Sequence, residues 1–264
     1  MNFLKRELAP LTSAAWDELG KEAERVLKGN LSARRVVDVD GPKGFDYSAV
    51  NLGRLSEEHE ATSDGVRFGI RKVLPLVELR VPFEVSIGEL DNMARGADDV
   101  DTEPVIEAAL KLARFEDHAI YQGFEPGGIQ GVLAGCAHDS LALGGDAAQF
   151  PGAIAKAMSI LSDAGVNGPY ALILGPEPHR LLAGDVSTYP PRQRIAKMLE
   201  GPVLRSSVLE GGLLLSLRGE DYQLTIGEDV AIGYSAHNSE RVSLYLTETF
   251  TFRMLSPEAA VRLC

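Results

Sequence analysis

The final third of the chain places four strand-like runs in succession, over residues 213–217, 222–226, 230–234 and 242–252, with no helical stretch between them. A Rossmann or barrel enzyme requires regular alternation of strands and helices, and this region excludes that arrangement. Upstream the patterning is mixed, so the fold class is α+β. A chain of 264 residues buries roughly 70–75% of its unfolded surface, which suits one elaborated domain or two closely joined ones.

Thr12 is placed to cap a helix, with Asp17 and Glu18 in its early turns. Trp16, Leu19, Ala23, Val26 and Leu27 recur at helical spacing up to a stop at Gly29 and Asn30. A short strand is expected over residues 34–40, closed by Gly41 and Pro42. Residues 48–75 pattern as a long hairpin turning at Thr62, Ser63, Asp64 and Gly65. Its arms carry Arg54, Glu57, Glu58, Arg67, Arg71 and Lys72, so it has no core of its own. A lone two-stranded hairpin is marginal in water. It needs a neighbour, either the domain body or another subunit.

Val77, Leu79, Val81, Phe83 and Val85 alternate with Glu78, Arg80, Glu84 and Ser86, a half-buried strand in which Pro82 demands an edge or a bulge. Pro104 opens a long helix over residues 103–121, the strongest helical pattern in the chain. Gly127–Gly128 and Gly144–Gly145 bracket a domain junction. Beyond it come a helix near 151–164, a buried strand at 170–174 and a helix from Pro191 to Gly201.

Chemistry is sparse. The net charge of −12 carries no basic block to offset it, which disfavours a nucleic-acid partner. Cys136 and Cys264 are far apart and lack metal spacing, which fits a reducing cytoplasm. Lys5 and Arg6 are followed by Glu7 and Pro10, not by an apolar export segment, and no run reaches the ~18 apolar residues of a membrane span. A cytoplasmic chain with no membrane partner is expected. The five histidines are scattered. Glu116, Asp117 and His118 are adjacent on a helix and diverge by roughly 100° each, so they predict a helix-face or interface network and no metal site. No nucleophile elbow or phosphate loop occurs, and no catalytic residue is expected.

A series of landmarks runs in order along nearly the whole chain. They are Asn2 to Pro10, Val37 to Pro42, Leu74 to Arg80, Glu89-Leu90-Asp91-Asn92 with Arg95-Gly96, Phe115-Glu116-Asp117, Gly168-Pro169-Tyr170, and Thr247 to Phe252. In this order they strongly resemble the encapsulin (linocin-like) family, shell proteins with the tailed-phage major capsid (Hong Kong 97-like) fold. The resemblance implies a peripheral domain from residues 1–47, 76–132 and 226–264, an extended loop at 48–75 reaching a neighbouring subunit, and an axial domain at 133–225. It implies about 60 self-associating copies, or a larger icosahedral multiple.

The resemblance further implies an enclosed cargo enzyme, a ferritin-like protein or a dye-decolourising peroxidase, held through a C-terminal targeting peptide and serving iron storage or oxidative-stress defence. By matching position, Arg34 and Asp38 are expected to make polar contacts to that peptide, and Val230 and Ile232 part of an apolar floor. The competing expectation is that Arg34 and Asp38 pair with each other and brace their strand. A loop of Ala183, Gly184, Asp185, Val186, Ser187, Thr188 and Tyr189 matches the family's fivefold pore, where Asp185 would favour cations. Some relatives stack a flavin on a tryptophan where this chain has Gly88, so no cofactor is expected there. A DNA-packaging phage capsid protein, and a bacteriocin or peptidase, are the alternatives.

Overall fold

The computed structural model describes residues 3–56, 59–60, 65–184 and 190–264. Its first lobe is organised by one long strand, Arg241–Met254. Val77–Ser86 pairs along one side of it, antiparallel, from Phe250 opposite Val77 to Arg241 opposite Ser86. Along the other side lie Ala231–His237 and Tyr222–Ile226, end to end, and Asp38–Asp40 adds in parallel to the latter. Pro82 stands opposite Tyr245 in a strand whose only strand partner, among the described residues, is the central one, an edge position where proline is tolerated.

The helix Glu103–Tyr121 crosses the sheet, burying Val105, Ala109, Leu112, Ala113 and Ile120 against it. The N-terminal helix Ser13–Asn30 packs alongside, capped by Thr12, whose side chain accepts from Ala15 N at 3.2 Å. A shorter helix, Ile87–Arg95, ends at Gly96, where a φ of 91° closes the turn at no steric cost.

Residues 34–40 do not form the single strand expected from their composition. Ala33–Arg35 is a 3₁₀ turn, and only Asp38–Asp40 is extended. The cause is long-range: buried Asp117 accepts from the backbone N–H groups of Ser32 and Ala33 and wraps the chain around its carboxylate.

The second lobe is a four-stranded sheet centred on Tyr170–Leu174, all five residues buried, and Gly212–Ser216. Val203–Arg205 runs parallel to the former and Ala260–Leu263 antiparallel to the latter. The helices Phe150–Asp163, Pro176–Gly184 and Pro191–Leu199 surround it. Two strands thus fall across the boundaries expected from sequence. Tyr222–Ile226 joins the first sheet, and the last strand returns to the second, because each finds a complementary buried strand there.

The hairpin stands apart from both sheets. Ala49–Leu55 pairs with Arg71–Pro75, and His59–Glu60 with Arg67–Phe68. Thr62, Ser63 and Asp64 of its expected turn, with Glu57 and Glu58, lie outside the described residues. Leu55, Val66, Ile70 and Val73 are exposed along its arms. Among the described residues, no helix is long and apolar enough to cross a membrane.

Candidate functional site

The N-terminal helix and the turn after it face residues 229–232 across a cleft of about 600 Å³. One wall follows from helical periodicity: Gly20, Ala23, Leu27 and Leu31 lie three or four residues apart on a single helix face. Two of these are small, which leaves a groove in place of close packing. Val230 and Ile232 form the opposite wall, with Leu246 of the central strand beneath them. Arg6 closes one end, donating to the Ile232 carbonyl at 3.0 Å while lying 4.6 Å above the Trp16 ring. The result is an apolar groove with charges at its rim.

Arg34 stands at the foot of this groove. Its Nε donates to both Glu116 oxygens at 3.0 Å, Nη2 to Glu116 at 2.6 Å and also to Glu248, and Nη1 to Asp229 at 2.8 Å. Of the five N–H donors of a guanidinium, a single Nη1 hydrogen is left uncommitted. Glu116 comes from the long helix and Glu248 from the central strand, and both are fully buried. Three carboxylates therefore share one cation. Burial first, then the neighbouring Glu116, push the Glu248 carboxyl well above the usual carboxylate range, against the pull of Arg34. Among the described residues, Glu248 Oε2 has no hydrogen-bond partner.

Asp38 is not part of this arrangement. It lies in a separate small cleft with Leu217, Gly219 and Tyr222, where its carboxylate accepts from Glu220 N at 2.6 Å. Arg34 and Asp38 form no pair with each other; their partners belong to different segments. The groove thus brings together Arg34, Val230 and Ile232, and leaves Asp38 outside. Ala183 and Gly184 end the helix Pro176–Gly184, while Asp185, Val186, Ser187, Thr188 and Tyr189 lie outside the described residues. Gly88 sits in the first turn of Ile87–Arg95, where an added Cβ would meet only Ser86 Oγ, at 3.4 Å.

Glu116 and Asp117 diverge, as adjacent helical positions must, but both point inward. Asp117 accepts from Ser32 Oγ at 2.5 Å, Ala33 N at 2.9 Å, Ser32 N at 3.2 Å and Ser206 Oγ at 3.3 Å. One carboxylate ties the N-terminal segment, the long helix and the second lobe together. Among the described residues, no group of three or more His, Cys, Asp or Glu side chains is placed to hold a metal ion.

Burial outweighs these donors and raises the Asp117 carboxyl from 3.8 to about 6. A raised folded-state value means that the native state holds its proton longer than the unfolded chain. The associated stabilisation is full below about 4 and is lost as pH rises through 6. Assembled wild-type protein should lose about 3 kcal/mol of stability across that window relative to D117N, which has no such proton. Melting curves of both proteins from pH 4 to 7 measure the difference; parallel profiles would refute it.

Sequence reading missed Glu116, Asp229 and Glu248 as one cluster. A signal existed for Glu248. In the central strand, Leu244, Leu246, Phe250 and Phe252 share its face, and a lone acid at period two in such a row requires a buried partner.

The model of the family described as encapsulating protein for peroxidase matches residues 1–251. The type 1 encapsulin shell protein of Rhodospirillum rubrum is 45% identical, covering 100% of this chain and 96% of its own. Those of Brevibacterium linens and Mycobacterium tuberculosis are 42% and 41% identical, each with 100% of this chain and 99% of theirs covered. Among solved structures, the virus-like particle from Pyrococcus furiosus superposes with a TM-score of 0.67 at 17% identity, over 93% of this chain and 98% of that one. The capsid of Myoviridae phage XM1 superposes with a TM-score of 0.55 at 14% identity, over 88% and 90%. The shared element is the capsid fold.

Proposed function

The chain belongs to the encapsulin family of shell proteins, and from this premise we propose that its copies close into an icosahedral compartment around an enzyme. The role of the chain is structural, and any catalysis belongs to the enclosed protein. The family match over residues 1–251, with shell-protein relatives covering the whole chain, carries the shell reading. The hairpin supports it, because its apolar side chains Leu55, Val66, Ile70 and Val73 are left exposed among the described residues.

The groove beside the N-terminal helix is the seat for a short C-terminal targeting peptide of the cargo. An apolar channel with a few fixed charges at its rim suits an extended peptide. Val230 and Ile232 supply apolar contact, while Arg34 holds the groove's foot rigid and presents Asp229 at its edge. The cargo is a ferritin-like protein or a dye-decolourising peroxidase, which gives the compartment a part in iron storage or oxidative-stress defence in the cytoplasm. The segment from Ala183 to Tyr189 lines a pore for ions and small molecules, and Gly88 provides no ring on which a flavin could stack.

Negative-stain microscopy and mass spectrometry of particles from the native host test the reading. Closed particles of uniform diameter, with a second protein in fixed proportion, are the expected result. Monomers and small oligomers alone would overturn the shell. Particles filled with nucleic acid and no protein would favour the DNA-packaging alternative, which the charge of −12 opposes.

A further inference from the structure

The groove is bounded by more than side chains. One of its walls is the outer edge of the strand Ala231–His237, whose other edge is taken by the central strand. An outer edge presents a row of backbone donors and acceptors, and the protein already satisfies part of this one. Tyr234 N donates to the Leu4 carbonyl at 2.9 Å, so residues at the N-terminus lie along the edge as a partial extra strand. Arg6 then donates to the Ile232 carbonyl, ending that cover.

Alternation fixes what comes next. In an antiparallel ladder the N–H and C=O of one residue point to the same side, and those of the residue two positions away do likewise. Tyr234 N–H and Ile232 C=O both point outward, away from the central strand. The Ile232 N–H therefore points outward as well, while Val230 stands just before the strand, where alternation no longer sets the direction of its C=O. Outside the sheet's own ladder no hydrogen bond to the Ile232 N–H is present among the described residues, and Ile232 and Val230 both line the groove. Val230 N–H is satisfied at 2.8 Å by the Asp229 side chain, so the Ile232 N–H is the donor that the edge leaves open. Ile232 is only 3% exposed. A buried amide donor without an acceptor costs free energy, and it is normally met by water or a ligand.

We propose that the peptide seated in the groove binds by strand addition, accepting from Ile232 N–H in continuation of the cover begun by Leu4. This rests on the reading of the groove as the cargo seat. It specifies the occupant further: an extended segment of the enclosed protein, without proline at the pairing residue, whose alternate side chains enter the channel between Ala23, Leu27 and Val230. The backbone pairing supplies affinity independent of side-chain identity, and the apolar wall selects the side chains.

The test compares shells purified with their native cargo and shells assembled from this chain alone. It uses electron cryomicroscopy and hydrogen exchange of the segment around Ile232. Groove density with a carbonyl oxygen about 2.7–3.2 Å from Ile232 N, together with exchange slowed by about tenfold or more in loaded shells, would support strand addition. Density in the groove that stays off this edge, with exchange at Ile232 unchanged, would overturn strand addition and leave the cargo seat standing. Loaded shells with an empty groove would overturn both.

Discussion

I70D/V73D protein is expected to remain folded and to form almost no particles, the assembled fraction falling below about a tenth by size exclusion and electron microscopy. Ile70 is 67% exposed and Val73 52% in the single chain, beside Leu55 at 53% and Val66 at 57%. On the proposed shell reading, these four large apolar side chains form the surface that a second copy covers. Burial of each is worth about 1.5–3 kcal/mol, and an aspartate buried there without a partner costs several kcal/mol. In a closed shell every copy repeats the contact, so the loss recurs at each subunit. Neither residue belongs to the buried core of either lobe, so the far-ultraviolet spectrum should hold. Intact particles with unchanged melting would show that the hairpin is not an intersubunit element.

R34A should destabilise the folded subunit by about 3–5 kcal/mol, because it strips the buried carboxylates of Glu116 and Glu248 of the one cation that pairs with them among the described residues. The remedy should be equally specific. Adding E248L fills the same face of the central strand with an apolar side chain, as at Leu244 and Leu246, and removes one of the two stranded acids. R34A/E248L should therefore recover at least half the loss. E248Q alone, which keeps the shape and an oxygen acceptor for Arg34 but carries no charge, should cost less than R34A. Thermal unfolding of the four proteins side by side decides it. A double variant no better than R34A would refute the account of a shared buried charge.

The long helix, the N-terminal helix and the edge strand Val77–Ser86 were legible because each writes its burial into a simple period. The central strand was legible as a strand, although not as one buried on both faces from Leu244 to Phe252. The 3₁₀ turn at Ala33–Arg35 was not legible: Arg34, Arg35, Val36 and Val37 look like a strand until Asp117 claims the amides of Ser32 and Ala33. Val230 and Ile232 were placed on the groove through the family resemblance. Arg34 was found through the family resemblance, but its partners Glu116, Asp229 and Glu248 lie 82, 195 and 214 residues away. No local pattern encodes such convergence. Asp38 shows the opposite failure, since it is close to Arg34 in sequence yet turned toward Glu220.

The central strand also sets a timetable. Its pairing with Val77–Ser86 joins atoms 157 and 168 residues apart, at Arg241 with Glu84 and Thr247 with Leu79. Contacts of that separation form late, because the intervening loop must first be closed. Most of the second lobe lies inside this loop and is synthesised before the sheet can shut. The shutting of the sheet completes the groove wall and also fixes the base of the hairpin at Pro75 and Val77. On the proposed function, competence to receive a guest and competence to join neighbours therefore arrive in the same folding step, so that a half-made subunit can do neither.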